Sequence, residues 1–159
     1  MSALSPTHGS DQPGVQSIMQ SEFCEAAEVV QFAGMTVQLI SGGDASPVSV
    51  MDMNIARHCG APKHKSLDEE KIFTLVEGQL EFTLCDTTRV LNPGDRVTVA
   101  RGDVHGFTNR LDQNARMFLV STPARHDRFF RAMAALPVPH SPESVRALCA
   151  TFRQEIVGL

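Results

Sequence analysis

Tyrosine and tryptophan are both absent from the 159 residues. Any aromatic wall must therefore come from the nine phenylalanines, and no phenol is available as an acid. Cysteine is scarce: Cys24, Cys59, Cys85 and Cys149 stand far apart with no Cys-x-x-Cys pair, so zinc-finger spacing is excluded and a disulfide framework is not expected. A basic excess is missing too. Fourteen Lys plus Arg against eighteen Asp plus Glu leave a net charge of -4, which provides no electrostatic footprint for nucleic acid or anionic lipid. No stretch approaches the ~18 apolar residues of a membrane span, and the first twenty residues lack the apolar centre of a secretory signal. Phosphate-binding glycine loops, serine-hydrolase elbows and internal repeats are likewise missing. These absences lead to the expectation of a soluble, cytoplasmic protein that engages neither nucleic acid nor membrane.

What is present reads as one globular domain, with 42% hydrophobic and 20% charged residues. Residues 1–20, rich in Ser, Gly, Pro and Gln, are expected to be a mobile arm, and residues 21–159 a single domain. From Gly34 to Val120 the sequence alternates with period two. Met35, Val37 and Leu39 oppose Thr36, Gln38 and Ile40, and Ser49, Met51, Met53 and Ile55 oppose Val50, Asp52 and Asn54. Leu80, Phe82 and Leu84 alternate with Glu81 and Thr83. Turn residues at Gly42-Gly43, Glu77-Gly78, Asn92-Pro93-Gly94-Asp95 and Arg101-Gly102-Asp103 punctuate roughly eight such strands, the pattern of a sandwich or small barrel. Helical periodicity follows, over about 123–158. One helix is expected after Pro123, bearing Phe129, Phe130 and Met133. A second is capped by Ser141 with Pro142 at its first position, and carries a stripe of Val145, Leu148, Phe152 and Ile156.

Two segments hold the informative histidines: Pro62-Lys63-His64-Lys65-Ser66 through Lys71 to Gly78, and Gly94 through Gly102-Asp103-Val104-His105 to Asn109. The second resembles the cupin motif G-x5-P-x-G-x2-H-x3-N, matched at Gly94, Gly102, His105 and Asn109 with Ala100 in place of the Pro. The first resembles the partner motif G-x5-H-x-H-x3-4-E-x6-G in degenerate form. Counting back from Gly78, His64 occupies the first His position, Ser66 the second and Lys71 the Glu position. The stretch STPARHDRFFRAMAALP and the helical tail look like the end of bacterial quercetin 2,3-dioxygenase-like single-domain cupins, so the likeness spans about residues 34 to 157. It implies an all-β fold, a cupin jelly-roll β-barrel (double-stranded β-helix) with C-terminal helices and an interior small-molecule pocket. It also implies a homodimer, for which exposed edge strands are suited.

The departures bear on chemistry. A hydroxyl is a poor transition-metal ligand and an ammonium cannot ligate, so the expectation is that no metal cofactor is used. The alternative is one Fe, Ni, Mn or Zn ion held by His64, His105 and Glu70, with a bulge aiming Glu70 inward. Strand parity sets Lys71, Phe73 and Leu75 on one face and Glu70, Ile72 and Thr74 on the other, so only one of the two charges enters the barrel. If Lys71 enters, burial lowers its pKa, making it a base or an oxyanion stabiliser beside His64, His105 and a hydrogen-bonding Ser66. Met53, Phe73, Phe82, Phe107 and Met117 are the expected pocket lining. Asp68-Glu69-Glu70 reads as a solvated turn, and His126 and His140 as surface residues.

Three functions follow as expectations. The first is an enzyme acting on an apolar, aromatic or polyketide-like metabolite by proton transfer (isomerisation, cyclisation, dehydration or a lyase step). The second is a metal-dependent quercetinase-like dioxygenase. The third is a non-catalytic metabolite-binding cupin.

Overall fold

The computed structural model describes residues 21–158; the expected arm at 1–20 lies outside them. Eleven strands and two helices follow in chain order: β1 Glu28–Phe32, β2 Met35–Ser41, β3 Ser49–Ile55, β4 Gly60–Ser66, β5 Glu70–Glu77, β6 Leu80–Leu84, β7 Thr87–Leu91, β8 Arg96–Val99, β9 His105–Thr108, β10 Ala115–Thr122, α1 His126–Ala134, α2 Pro142–Thr151 and β11 Gln154–Ile156. They form two antiparallel sheets, one ordered β1-β2-β3-β10-β5-β8 and the other β11-β4-β9-β6-β7. This is the jelly roll that the period-two pattern anticipates.

Alternation decides which side chains fill the space between the sheets. Met51, Met53 and Ile55 from β3, Phe73 and Leu75 from β5, and Met117 and Leu119 from β10 are all buried, while their odd-spaced neighbours face out. The outer face of β3 carries Asp52, held by the Arg116 guanidinium at 2.7 Å. Gly78 turns β5 into β6 at φ +78, a conformation that disfavours any Cβ. Gly60 has a different role: a Cβ there would lie 2.0 Å from the Phe107 carbonyl oxygen, so only glycine lets β4 approach β9.

Two features depart from the sequence reading. An additional strand, β1, forms a hairpin with β2 through Ala33-Gly34 and extends the larger sheet. The second helix ends earlier than its apolar stripe suggests. Ser141 caps α2 by accepting from the Ser144 amide at 3.0 Å, as expected, but the helix stops at Thr151 and Arg153 adopts φ +52. The chain then runs as β11, pairing Gln154 with Ser66 and Ile156 with His64. Ile156 is thus a strand residue, and the reversal delivers Gln154 to the barrel interior.

Asp127 fixes α1 over the barrel. Its buried carboxylate accepts from Ser49 Oγ at 2.7 Å, from the Gly43 amide at 3.1 Å and from Arg131 at 2.7 Å. This clamp turns the His126, Phe129 and Phe130 side of the helix toward the barrel.

Candidate functional site

The three consecutive acids Asp68, Glu69 and Glu70 go three ways, and this divergence builds the site. Asp68 stays outside, where it pairs with Arg125 at 3.0 Å and Arg153 at 2.7 Å, drawing the starts of α1 and β11 to the head of β5. Glu70 is exposed and pairs with Arg101 at 3.5 Å. It does not join His64 and His105, so the bulge that would have aimed it inward is absent. Glu69 turns in and is 3% exposed, which corrects the reading of this run as a solvated turn.

Lys71 takes the inward face of β5 and is 1% exposed. Its Nζ donates to Ser66 Oγ at 2.5 Å, and Ser66 donates in turn to Gln154 Oε1 at 2.5 Å. Gln154 Nε2 donates to Glu69 Oε2 at 3.2 Å, and the same oxygen receives the Nδ1 proton of His126 at 2.8 Å. Lys71 Nζ lies 3.9 Å from that carboxylate. Five buried polar side chains from β4, the β4–β5 turn, β5, α1 and β11 thus form one connected network. Ser66 has its hydrogen engaged by Gln154, so it positions Lys71 and has none to offer a ligand.

Burial pushes the Lys71 ammonium down to about 8, against the opposing pull of Glu69. Burial alone would raise the Glu69 carboxyl, but the His126 hydrogen bond and the charges around it outweigh this and hold it below its ordinary value. His126 is buried at 3% exposure, not on the surface as expected; burial first and the Lys71 charge second lower it to about 4. His64 and His105 face each other across β4 and β9 with ring centroids 4.2 Å apart. Burial, then Lys71, lowers His105 to about 4 and His64 well below its ordinary value. Neutral His64 donates its Nδ1 proton to the Pro62 carbonyl at 2.7 Å, and neutral His105 donates its own to the Asp103 carbonyl at 3.0 Å. Each therefore keeps its lone pair on Nε2, and that of His105 is buried without a partner.

A cavity of about 110 Å³ opens between the barrel and the helices. His64, Lys71, His126 and Gln154 supply its polar edge, and Met53, Phe73 and Phe107 line it as expected. Phe129, Phe130 and Met133 of α1 close it from above. Phe82 and Met117 do not line it. Phe82 packs behind, edge-on to Phe73 at 5.1 Å and stacked on Phe107 at 6.1 Å, while Met117 is wholly buried between β3 and β5. His105 is also outside the lining, shielded by His64 and by Phe73, whose centroid is 5.8 Å away.

His126, Glu69 and Gln154 were not singled out by sequence as site residues. His126 had a legible signal, since it lies three and four positions before Phe129 and Phe130 on one helical face. Glu69 shares strand parity with Lys71. Gln154 carried no signal, because its placement depends on the early end of α2.

The donor set does not suit a transition metal. His64 and His105 offer imidazole nitrogens, but Ser66 is engaged, Glu70 points away, and the nearest interior cation is the Lys71 ammonium. Among the described residues no group of three or more His, Cys, Asp or Glu is arranged to hold a metal ion.

The buried neutral imidazoles have a consequence for acid stability. Between their ordinary value of 6.5 and about 4, His105 and His126 take up protons in the unfolded chain before the folded one, so stability falls as pH drops through that window. Each imidazole contributes about 3 kcal/mol to the full fall. Urea unfolding at pH 7 and pH 4.5 should show a marked drop in the wild type and a smaller one in His105→Phe. Equal stability at the two pH values would mean that these rings are not buried in neutral form.

Fold and site together define an antiparallel jelly-roll barrel with an internal, mostly apolar cavity and a buried polar network at its edge. Residues 51–121 match the Cupin domain family model, and the barrel around them has the cupin jelly-roll fold. The fold is shared with an RmlC-like cupin from Shewanella frigidimarina (TM-score 0.58, 19% identity, 67% of this chain and 93% of that one). It is shared also with KdgF from Halomonas sp. (TM-score 0.55, 21% identity, 60% and 85%). A sugar phosphate isomerase of the cupin superfamily from Silicibacter pomeroyi gives TM-score 0.51 at 21% identity over 61% and 68%. At these identities the likeness is one of fold. No curated protein sequence matches the chain. No helix among the described residues is long and apolar enough to cross a membrane.

Proposed function

We propose that this chain is a small-molecule cupin enzyme that moves a proton on an apolar or aromatic, enolisable ligand without using a metal. The observation that carries this reading is Lys71: a buried ammonium at the edge of a phenylalanine- and methionine-walled cavity, fixed by Ser66 and sharing that edge with His64, whose Nδ1 proton is spent on the Pro62 carbonyl. A ligand carbonyl oxygen against Lys71 gains an ion-assisted hydrogen bond that strengthens as the oxygen becomes an enolate. The lowered pKa makes this ammonium a stronger proton donor than an exposed lysine. His64, neutral at working pH, accepts the proton from the carbon next to the carbonyl. The C–H bond breaks, its electron pair moves toward the oxygen, and the proton returns from His64 to the same or another carbon. Isomerisation, cyclisation, dehydration and lyase steps all begin this way. The sugar phosphate isomerase among the structural neighbours and the resemblance to quercetin 2,3-dioxygenase-like cupins support, respectively, the reaction class and an aromatic ligand.

Phenylacetone in deuterium oxide tests the reading without knowledge of the natural substrate. The wild-type protein, dialysed against a chelator, is expected to speed deuterium entry at the carbon next to the carbonyl, as read by proton NMR. Binding without exchange would make the chain a binding module. Exchange that disappears on metal removal and returns with iron or nickel would restore the metal-dependent reading.

A further inference from the structure

His126 is a polar group of the cavity that this proton-transfer scheme does not use. Its Nδ1 proton is committed to Glu69 Oε2 at 2.8 Å, so in the neutral ring the lone pair lies on Nε2. The ring lines the cavity, packed edge-on against Phe130 at 4.6 Å. Glu69 cannot swing away readily, because Gln154 and Lys71 hold the same oxygen. The charged and titratable groups around His126 are Glu69 from the turn, Lys71 from β5 and Asp127 from its own helix, with His64 from β4 and His105 from β9 acting more weakly. Lys71 disfavours a second cation here, which keeps the ring an acceptor.

The polar edge therefore has a defined sense. Lys71 donates. His64 and His126 accept. Gln154 is saturated, its oxygen taken by Ser66 and its nitrogen by Glu69 and the Phe152 carbonyl. A carbonyl alone satisfies Lys71 and leaves His126 unpaired, which is costly in a dry pocket. An enol or phenol hydroxyl satisfies both, its oxygen accepting from Lys71 while its hydrogen goes to His126.

We propose that His126, held by Glu69, is a ligand-binding acceptor, and that the cavity selects small aromatic or enolic molecules bearing a hydroxyl donated to His126 Nε2. This deepens the reading of the cavity as the ligand site and rests on it. Glu69 is a positioning residue: it fixes which ring nitrogen carries the proton.

The test uses 4-fluorophenol and 4-fluoroanisole, two rings of similar shape of which only the first has a hydroxyl to donate. Fluorine NMR titrations of the wild type should show the phenol bound at least about tenfold more tightly, the scale of one buried hydrogen bond left unmade. In His126→Leu that preference should vanish while fluoroanisole still binds. Glu69→Leu should also lose the preference, because without the carboxylate that holds the Nδ1 proton the ring moves it to Nε2. Long-range proton–nitrogen NMR should show the proton on Nδ1 in the wild type and on Nε2 in this variant. Equal binding of the two probes by the wild type, or a phenol preference that survives in His126→Leu, overturns the inference and leaves the cavity reading standing. Failure of the wild type to bind either probe overturns both.

Discussion

Lys71→Met is expected to give a protein that is more stable than the wild type and nearly inactive. The lysine's folded-state pKa of about 8 lies below its ordinary 10.5, so between these values the unfolded chain holds a proton that the folded chain has released. Wild-type stability must therefore rise with pH from about 8 to 10.5. Below that window both states carry the charge, and the folded state bears the whole penalty, about 3 kcal/mol. Methionine keeps most of the stem volume and removes the charge. Part of the gain is returned, because Glu69 loses a cation 3.9 Å away and Ser66 loses a donor. A net stabilisation of about 1–3 kcal/mol at pH 7 remains, worth roughly 2–4 °C in Tm per kcal/mol for a chain of this size. Deuterium exchange into phenylacetone should fall by about 100-fold, the scale of one acid–base or oxyanion-stabilising group. Unfolding curves at pH 7 and pH 10 check the first claim. The two proteins should differ most at pH 7 and converge toward pH 10. A variant less stable than the wild type at pH 7 would mean that Lys71 supports the fold, and unchanged exchange would remove it from the chemistry.

The contrast between the Lys71 and Glu69 positions explains what the sequence made legible. His64, Lys71 and His105 lie in β4, β5 and β9, where motif spacing marks the two histidines and alternation sets Lys71 against Glu70 without saying which of them enters; the structure puts Lys71 inside and Glu70 outside. The jelly roll was readable for the same reason, since each strand carries its own period and each turn its own glycine or proline. His126 and Gln154 reach Glu69 from 57 and 85 residues away, and no local period encodes such meetings. They depend on events between the elements: Asp127 clamping α1 against Ser49, Asp68 drawing in Arg125 and Arg153, and Arg153 reversing the chain at φ +52. Phe82 and Met117 show a related limit. Parity correctly puts both in the interior, but it cannot separate a side chain that walls a cavity from one that packs behind the wall.

Glu69→Leu should be the most damaging single change in the network, and its damage should depend on Lys71. Among the described residues Glu69 is the one carboxylate paired with the buried ammonium, and its Oε2 also receives His126 Nδ1–H and Gln154 Nε2–H. Leucine removes the acceptor from three groups at once. Stripping one partner from a buried ion pair costs about 3–5 kcal/mol, since the remaining charge is left in the low-dielectric interior. Two orphaned donors add to that, though His126 recovers part by shifting its proton to Nε2. Against a total stability of about 5–15 kcal/mol, such a loss leaves the single variant marginal at 25 °C. The double variant Lys71→Met/Glu69→Leu removes both charges and should regain at least ~2 kcal/mol relative to Glu69→Leu alone, a non-additivity that only a direct coupling produces. Urea unfolding of the four proteins in the cycle measures it at pH 7, and adding 4-fluoroanisole keeps the marginal single variant measurable by mass action. Repeating the cycle at pH 10, where the lysine has lost its proton in the folded state, should shrink the coupling toward zero. A coupling of the same size at both pH values would assign the effect to packing, and additive variants at pH 7 would show that the carboxylate and the ammonium do not share the interior as an ion pair.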